Sequence, residues 1–183
     1  GEDSIPGSGW FLSIPVCEPH FARYVQAALR DEEVCPFHYQ RWLAPILLKL
    51  PKDAIFLDVG GNVGVTSMLA GALGIRTITF EAIPSNQDRI ADGIVLNGFS
   101  DRVTLVRAAV GAQAGELDLW VPNCRGDNAA LTAQASTANL GGLATTKVTV
   151  PVVTIDGWFA GDGAWVDQSK VAFMKIDIQG GEH

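Results

Sequence analysis

Residues 58–64 read Asp-Val-Gly-Gly-Asn-Val-Gly, and this stretch decides the fold. An apolar run, residues 54–57, precedes it, and a run able to form a helix, residues 65–73, follows it. Glycine permits the positive φ values of a tight strand-to-helix turn, and its missing side chain lets a ligand approach the backbone. We therefore expect backbone amides and the positive end of the helix to face an anionic or polar group.

A second signal is Glu81, which closes the next apolar run, residues 77–80. A carboxylate in this position can accept hydrogen bonds from both hydroxyls of a ribose. An ordinary surface acid at a strand end is the simpler alternative, but the position after the second strand of a glycine-turn unit favours the ribose. The two signals together indicate a cofactor that contains a nucleoside.

The glycine spacing separates two classes of cofactor. A dinucleotide turn needs the pattern G-x-G-x-x-G so that helix amides can approach a pyrophosphate, and no register of residues 58–65 supplies it. Asp58 stands where that pattern opens with glycine, and its charge suits an ammonium and a sulfonium but repels a pyrophosphate. S-adenosylmethionine is therefore favoured, and an NAD-dependent oxidoreductase is the disfavoured alternative.

Several ordered motifs resemble those of FkbM-type S-adenosylmethionine-dependent methyltransferases, from about residue 56 to the last residue. The motifs are residues 58–64, 80–84, 96–98, 108–111, 150–156 and 175–182. The resemblance implies a class I methyltransferase fold and, in most members, methylation of a hydroxyl on a small molecule or glycan. Gly61 and Gly181 stand where many relatives carry alanine. The family fold continues through further strands after the position of His183, so a cofactor-binding fragment or a non-catalytic binding module is an alternative function.

From residue 54 onward strand-like and helix-like runs alternate, which predicts an α/β fold with crossover helices. In agreement with the resemblance, we expect a class I methyltransferase-like, Rossmann-like and mostly parallel sheet with flanking helices, truncated after the fourth core strand. Residues 54–183 would form this core, and residues 1–53 an N-terminal arm with covering helices. Core strands are predicted at 55–58, 77–81, 103–107 and 171–176, in the order 3-2-1-4, with helices at 64–73 and 84–96.

The N-terminal region carries apolar residues at helical spacing, which predicts helices at 21–33 and 39–50 over one face of the sheet. Pro45 should start or kink the second of these helices.

Residues 115–153 break the alternation of strands and helices. Period-two patterns at 116–121 and 148–152 predict two half-buried strands of an appended hairpin or edge. The link between them, residues 126–147, is either a flexible insertion or a lid over the acceptor pocket.

Candidate cofactor contacts lie in the glycine turn and after the second and third strands. Asp58 could cap the turn, contact the cofactor or do both, and Asn62 could satisfy turn amides or orient the methionine part. Arg107 could stack on adenine or point to solvent, and Ala108 leaves room for a flat base. The full set is Asp58, Gly60, Gly61, Asn62, Gly64, Glu81, Arg107 and Ala108.

Asp177 ends the fourth predicted core strand, at the carboxyl edge where open α/β sheets bind ligands, and is the best catalytic candidate. Lys175 shares its strand face and could form an ion pair with it. Glu182 could assist in catalysis, or it could cap a following helix. His183 could accept a hydroxyl proton. No residues show metal-ligand spacing, so no metal is predicted, with Mg²⁺ on Asp177 and Glu182 as the alternative.

Composition limits the partners. The 183 residues are 48% hydrophobic, which suits one globular unit. A net charge of −7 opposes binding to a phosphate backbone, so nucleic acid is not the expected substrate. The sequence lacks an apolar run of about 18 residues, so no membrane span is predicted.

Cys17, Cys35 and Cys124 form neither a C-x-x-C pair nor a zinc spacing. Small buried hydrophobes are favoured over a Cys17–Cys35 bridge, which would point to a secretory compartment. Because the chain begins with Gly1 rather than methionine, prior removal of a leader or anchor is left open, and so is the localisation. The strand at 171–176 would form an apolar edge, through which the chain could self-associate.

Overall fold

The structure is a computed structural model that describes residues 38–123, 129–132 and 144–178. The helix predicted at 21–33, the three cysteines and much of the 126–147 link lie outside these ranges. In chain order the elements are α1 (His38–Leu47), β1 (Ile55–Val59), α2 (Val65–Ala72), β2 (Arg76–Phe80), α3 (Pro84–Asn97), β3 (Val103–Val106), β4 (Ala109–Val110), β5 (Gly115–Pro122), β6 (Thr145–Val153), α4 (Ile155–Ala160), a 3-10 helix (Gln168–Lys170) and β7 (Val171–Ile176).

The main sheet has the order β3-β2-β1-β7. β1 pairs in parallel with β2 and β7, and β2 pairs in parallel with β3. The predicted α/β class and the predicted 3-2-1-4 order are confirmed, and the strand bounds differ from the predicted ones by one residue at most. Glu81 and Arg107 therefore follow β2 and β3 instead of ending them.

Different helices cover the two faces of this sheet. On one face Phe56 packs with Leu43 of α1 and Leu69 of α2. On the other face Leu57 belongs to a cluster with Trp158 of α4. Successive side chains of a strand point to opposite faces. A parallel strand covered on both faces therefore needs the nearly continuous apolar run that the sequence shows here.

The helix ends agree in part with the sequence. α3 begins at Pro84, and Gly98 follows its last residue with a φ of 66°, which is the predicted stop. α1 is shorter than the predicted helix at 39–50, and Pro45 lies inside it.

A second, smaller sheet has the order β4-β6-β5. β5 and β6 pair antiparallel, as the period-two patterns predicted, and β4 pairs in parallel with the end of β6. Because β4 begins shortly after the carboxyl end of β3, the second sheet adjoins the carboxyl edge of the main sheet. The domain boundary at residue 53 and the treatment of 115–153 as an insertion stay predictions.

Within the described ranges β7 has β1 as its strand neighbour, and Met174 and Ile176 on β7 are exposed. Self-association through this strand stays a prediction. No helix of the described part of the chain is both long and apolar enough to cross a membrane.

The packing of α1 can be tested with two leucines of the same segment. Leu43 is 0% exposed and Leu48 is 56% exposed. We expect Leu43→Ala to lower the free energy of unfolding by about 2–5 kcal/mol, and Leu48→Ala to change it by about 0.5 kcal/mol or less. Urea denaturation measures both values, and equal losses would contradict the described position of α1.

Candidate functional site

The glycine turn between β1 and α2 has positive φ values at two of its three glycines, Gly60 and Gly64, and also at Asn62, whereas Gly61 is not in this region. The three values are 81° at Gly60, 53° at Asn62 and 91° at Gly64. Asparagine tolerates this region better than most residues that carry a side chain.

The expectation that the turn amides face a ligand is wrong for Gly60 and Gly61. Both N–H groups donate to the carbonyl oxygen of Phe80, at 2.9 and 3.0 Å. The reason is that the turn continues the hydrogen bonding of the β1–β2 pair beyond Val59, so these donors are used within the protein.

The glycines are also required by the packing of the protein itself. A Cβ atom on Gly60 would overlap the carbonyl oxygen of Asp177, and one on Gly61 would overlap the hydroxyl of Thr79. Packing within the protein therefore requires glycine at both positions, whether or not a ligand approaches the turn.

Asp58 anchors the start of the turn. Its side chain is 0% exposed. Its Oδ2 accepts hydrogen bonds from the hydroxyls of Thr66 and Ser67, the latter at 2.6 Å, and its Oδ1 lies 3.1 Å from Nζ of Lys175. The carboxylate thus joins β1 to the first turn of α2 and to β7. The structure shows these hydrogen bonds to two helix hydroxyls instead of the predicted cap of the turn. A direct contact of Asp58 with a cofactor stays a prediction.

Glu81 faces the glycine turn and is 5% exposed. Its Oε2 accepts from the backbone N–H of Asn62 at 2.7 Å, and its Oε1 accepts from that of Ile83 at 2.8 Å. The side chain of Asn86 donates a longer bond, of 3.5 Å, to Oε1. A carboxylate has about four acceptor sites, so Glu81 retains capacity for a further donor.

Burial raises the pKa of Glu81 to about 7. Removal from water disfavours the charged carboxylate more than the hydrogen bonds from Ile83 and Asn62 stabilise it, and the nearby charge of Asp58 adds to the rise. Glu81 therefore changes its charge close to neutral pH.

Asn62 presents a buried acceptor beside Glu81. Its backbone N–H is used by Glu81, whereas its Oδ1 atom is buried without a hydrogen-bond partner in the described part of the chain. A buried acceptor without a partner is unfavourable. A bound group that brings an N–H or O–H donor would satisfy it, which fits the amino and hydroxyl groups of S-adenosylmethionine.

Gln87, a residue that sequence reasoning missed, fixes the loop after β2. It lies in the first turn of α3, is buried, and donates from Nε2 to the carbonyl oxygens of Glu81 and Ala82, at 2.8 and 3.0 Å. The only signal in the sequence was the pair of amide side chains Asn86 and Gln87, which follows Pro84 and Ser85. This signal is weak because polar residues are common in first turns.

Arg107 and Ala108 follow β3. Arg107 is half exposed, and its Nη1 lies 3.3 Å from Oε1 of Gln87 and 3.2 Å from Oδ1 of Asp88. It therefore lies along the start of α3, and stacking on adenine stays a prediction. Ala108 is buried, and its place in an adenine site is likewise untested.

Asp177 lies beside the glycine turn. Its backbone N–H donates to the carbonyl oxygen of Val59 at 3.0 Å, and its own carbonyl packs against Gly60. The catalytic candidate and the turn therefore meet at the carboxyl edge, where the sequence placed them. The ion pair considered between Lys175 and Asp177 stays a prediction.

Glu182 and His183 lie outside the described residues. Among the residues that the structure describes, no group of three or more His, Cys, Asp or Glu is placed to hold a metal ion. The alternative of Mg²⁺ on Asp177 and Glu182 is untested.

The fold and the turn define a class I methyltransferase-like domain, and comparison with known proteins gives the family. The model of the FkbM methyltransferase domain matches residues 58–183. The chain belongs to the FkbM methyltransferase family. Membership confirms the family resemblance and the methyltransferase class, with S-adenosylmethionine as the cofactor.

Other similarities are partial. Protein arginine N-methyltransferase 1 of Saccharomyces cerevisiae is 39% identical over 56 residues, which are 31% of this chain and 16% of that protein. The O-methyltransferase from Bacillus cereus, solved in complex with SAH, is 20% identical over 48% of this chain and 40% of its own, with a TM-score of 0.35. A methyltransferase from Geobacter sulfurreducens is 21% identical over 52% and 50%, with a TM-score of 0.38.

This chain therefore spans at most half the length of these three relatives. TM-scores this low carry no argument about shared sites.

The close approach at Gly60 can be tested against a second glycine of positive φ. Gly98 has a φ of 66° and open space where a Cβ would stand. We expect Gly98→Ala to lower the free energy of unfolding by about 1–2 kcal/mol, the penalty for the left-handed backbone. Gly60→Ala should lower it by about 1–3 kcal/mol more, because its Cβ also overlaps Asp177. Urea denaturation would contradict the described contact if the two variants lost equal stability.

Proposed function

We propose that this protein transfers the methyl group of S-adenosylmethionine to a hydroxyl group of a small molecule or glycan. The observation that carries the proposal is the buried carboxylate of Glu81, which faces the glycine turn and retains acceptor capacity. Family membership supports the reaction class, and the motif resemblance supports a hydroxyl acceptor.

Two side chains would hold the cofactor. Glu81 would accept hydrogen bonds from the ribose hydroxyls, and the unpaired Oδ1 of Asn62 would accept from the ammonium of the methionine part. Arg107 and Ala108, after β3, are proposed to border the adenine. Gly60, Gly61 and Gly64 contribute through the shape of the turn that places Asn62 opposite Glu81.

The bound cofactor supplies a methyl group already activated by the positive sulfonium. The main task of the protein is therefore alignment, since holding the acceptor oxygen in line with that methyl group removes much of the entropic part of the barrier. Asp177, beside the turn, is proposed to accept the hydroxyl proton as the new bond forms. Glu182 and His183 are proposed to line the acceptor side, and either could take over this proton.

The charge of Glu81 makes cofactor affinity depend on pH. Ribose hydroxyls donate to the ionised carboxylate, so binding favours that form and lowers a pKa that is about 7 in the unbound protein. We expect the affinity for S-adenosylmethionine to rise about tenfold between about pH 6 and pH 8, with release of protons on binding. Isothermal titration in two buffers of different ionisation enthalpy measures both quantities.

The matched control for this experiment is Glu81→Gln, which keeps the shape of the side chain and removes its titration. This variant should bind more weakly and should lose the proton release attributed to Glu81. A pH dependence that is the same in both proteins would show that Glu81 is not the ribose ligand.

The role of Asp177 is tested by Asp177→Asn, with the exposed Asp162→Asn as the control. We expect methyl transfer to fall by about 10²–10⁴-fold in the first variant, with cofactor affinity within about twofold of the original protein. Transfer is measured with methyl-labelled S-adenosylmethionine and a metabolite extract from the source organism.

Full activity of Asp177→Asn would exclude this residue as the base and leave Glu182 and His183. Saturable cofactor binding without any transfer in the unmodified full-length protein would instead favour a binding module over an enzyme.

A further inference from the structure

Lys175 makes contacts that the proposed reaction does not use. Its side chain is only 11% exposed, and its Nζ lies 3.1 Å from Oδ1 of Asp58 and 2.7 Å from the carbonyl oxygen of Gly60. Lys175 is on β7, whereas both of its partners belong to β1 and the turn that follows. One ammonium group therefore connects the edge strand to the start of the glycine turn.

The contact with Asp58 has a purely structural explanation. A carboxylate that is fully excluded from water needs a compensating charge, and breaking a buried pair by removing one partner is strongly destabilising. If this were the whole role of Lys175, any change that removed both charges together would keep the stability and the cofactor affinity of the protein.

The contact with Gly60 is not explained by charge compensation. The shorter of the two bonds goes to an uncharged carbonyl, and that carbonyl belongs to the residue whose φ of 81° begins the turn. An ammonium has three donor hydrogens, so it can hold the carboxylate and the peptide at the same time. The Gly60–Gly61 peptide is thus held at its N–H by Phe80 of β2 and at its carbonyl oxygen by Lys175 of β7.

The catalytic candidate directly follows this strand. Asp177 lies two residues after Lys175 and packs its carbonyl against Gly60. We propose that Lys175 is a positioning residue, which holds the Gly60 peptide and so sets the glycine turn, where the cofactor binds, relative to Asp177. This inference rests on the proposed function, because the turn must bind a cofactor for its position to matter.

The decisive comparison is between two double variants of the full-length protein, Asp58→Asn/Lys175→Met and Asp58→Asn/Lys175→Gln. Both remove the two buried charges, and Met and Gln are similar in size and shape. Only Gln carries an N–H donor that can reach toward the Gly60 carbonyl, although it is one bond shorter than lysine. The readouts are the thermal unfolding midpoint and the affinity for S-adenosylhomocysteine by isothermal titration.

We expect the Met double variant to bind S-adenosylhomocysteine at least about tenfold more weakly than the original protein, and the Gln double variant to recover part of that loss at a similar unfolding midpoint. A control double variant, Asp53→Asn/Lys170→Met, removes an exposed ion pair of 2.5 Å directly before the same strand. Its affinity should stay within about twofold of the original.

Affinity of the Met double variant within about twofold of the original protein would overturn the inference, because charge compensation would then be the whole role of Lys175. Equal weakening in the Met and Gln variants would overturn it as well. If neither double variant folds in plain buffer, the same two variants are compared in sucrose, which favours the folded state, and equal weakening there overturns the inference. Absence of binding by the unmodified protein would instead overturn the proposed function, and this inference with it.

Discussion

The buried carboxylate of Asp58 is the interaction on which the carboxyl edge of the sheet depends. It accepts hydrogen bonds from Thr66 and Ser67 in α2 and pairs with Lys175 on β7. A carboxylate fully excluded from water is tolerated only when its charge and its lone pairs are compensated. The end of β1, the first turn of α2 and the end of β7 must therefore meet at this point, and that requirement sets the shape of the glycine turn between them.

Glu81 is a second buried carboxylate, and its surroundings give it a different role. Its donors are uncharged, namely the amides of Asn62 and Ile83 and the side chain of Asn86. These hydrogen bonds compensate only part of the cost of burial, so the pKa of Glu81 rises to about 7. The carboxylate oxygens can still accept a further hydrogen bond. Asp58 thus holds elements of the fold together, whereas Glu81 suits a ligand that brings hydroxyl donors. The two acids each follow the end of an apolar run, but their neighbours compensate the burial of Asp58 more fully than that of Glu81.

Much of this arrangement could be predicted from the sequence, because it depends on local patterns. The apolar runs gave the strands of the main sheet to within one residue, and the spacing of Gly60, Gly61 and Gly64 gave the turn. The pair of Lys175 with Asp58 could not be predicted in this way. Comparison along one strand suggests Asp177, whereas the pair with Asp58 depends on the parallel register of β1 and β7, 117 residues apart in the chain. The close approach of the Asp177 carbonyl to Gly60 could not be predicted from the sequence for the same reason.

The most direct test of this account is a crystal structure of the full-length protein with S-adenosylhomocysteine. The account predicts both ribose hydroxyls within hydrogen-bonding distance of the Glu81 carboxylate, and a donor from the methionine part on Oδ1 of Asn62. An adenosyl group bound away from the glycine turn, or a ribose without contact to Glu81, would contradict it.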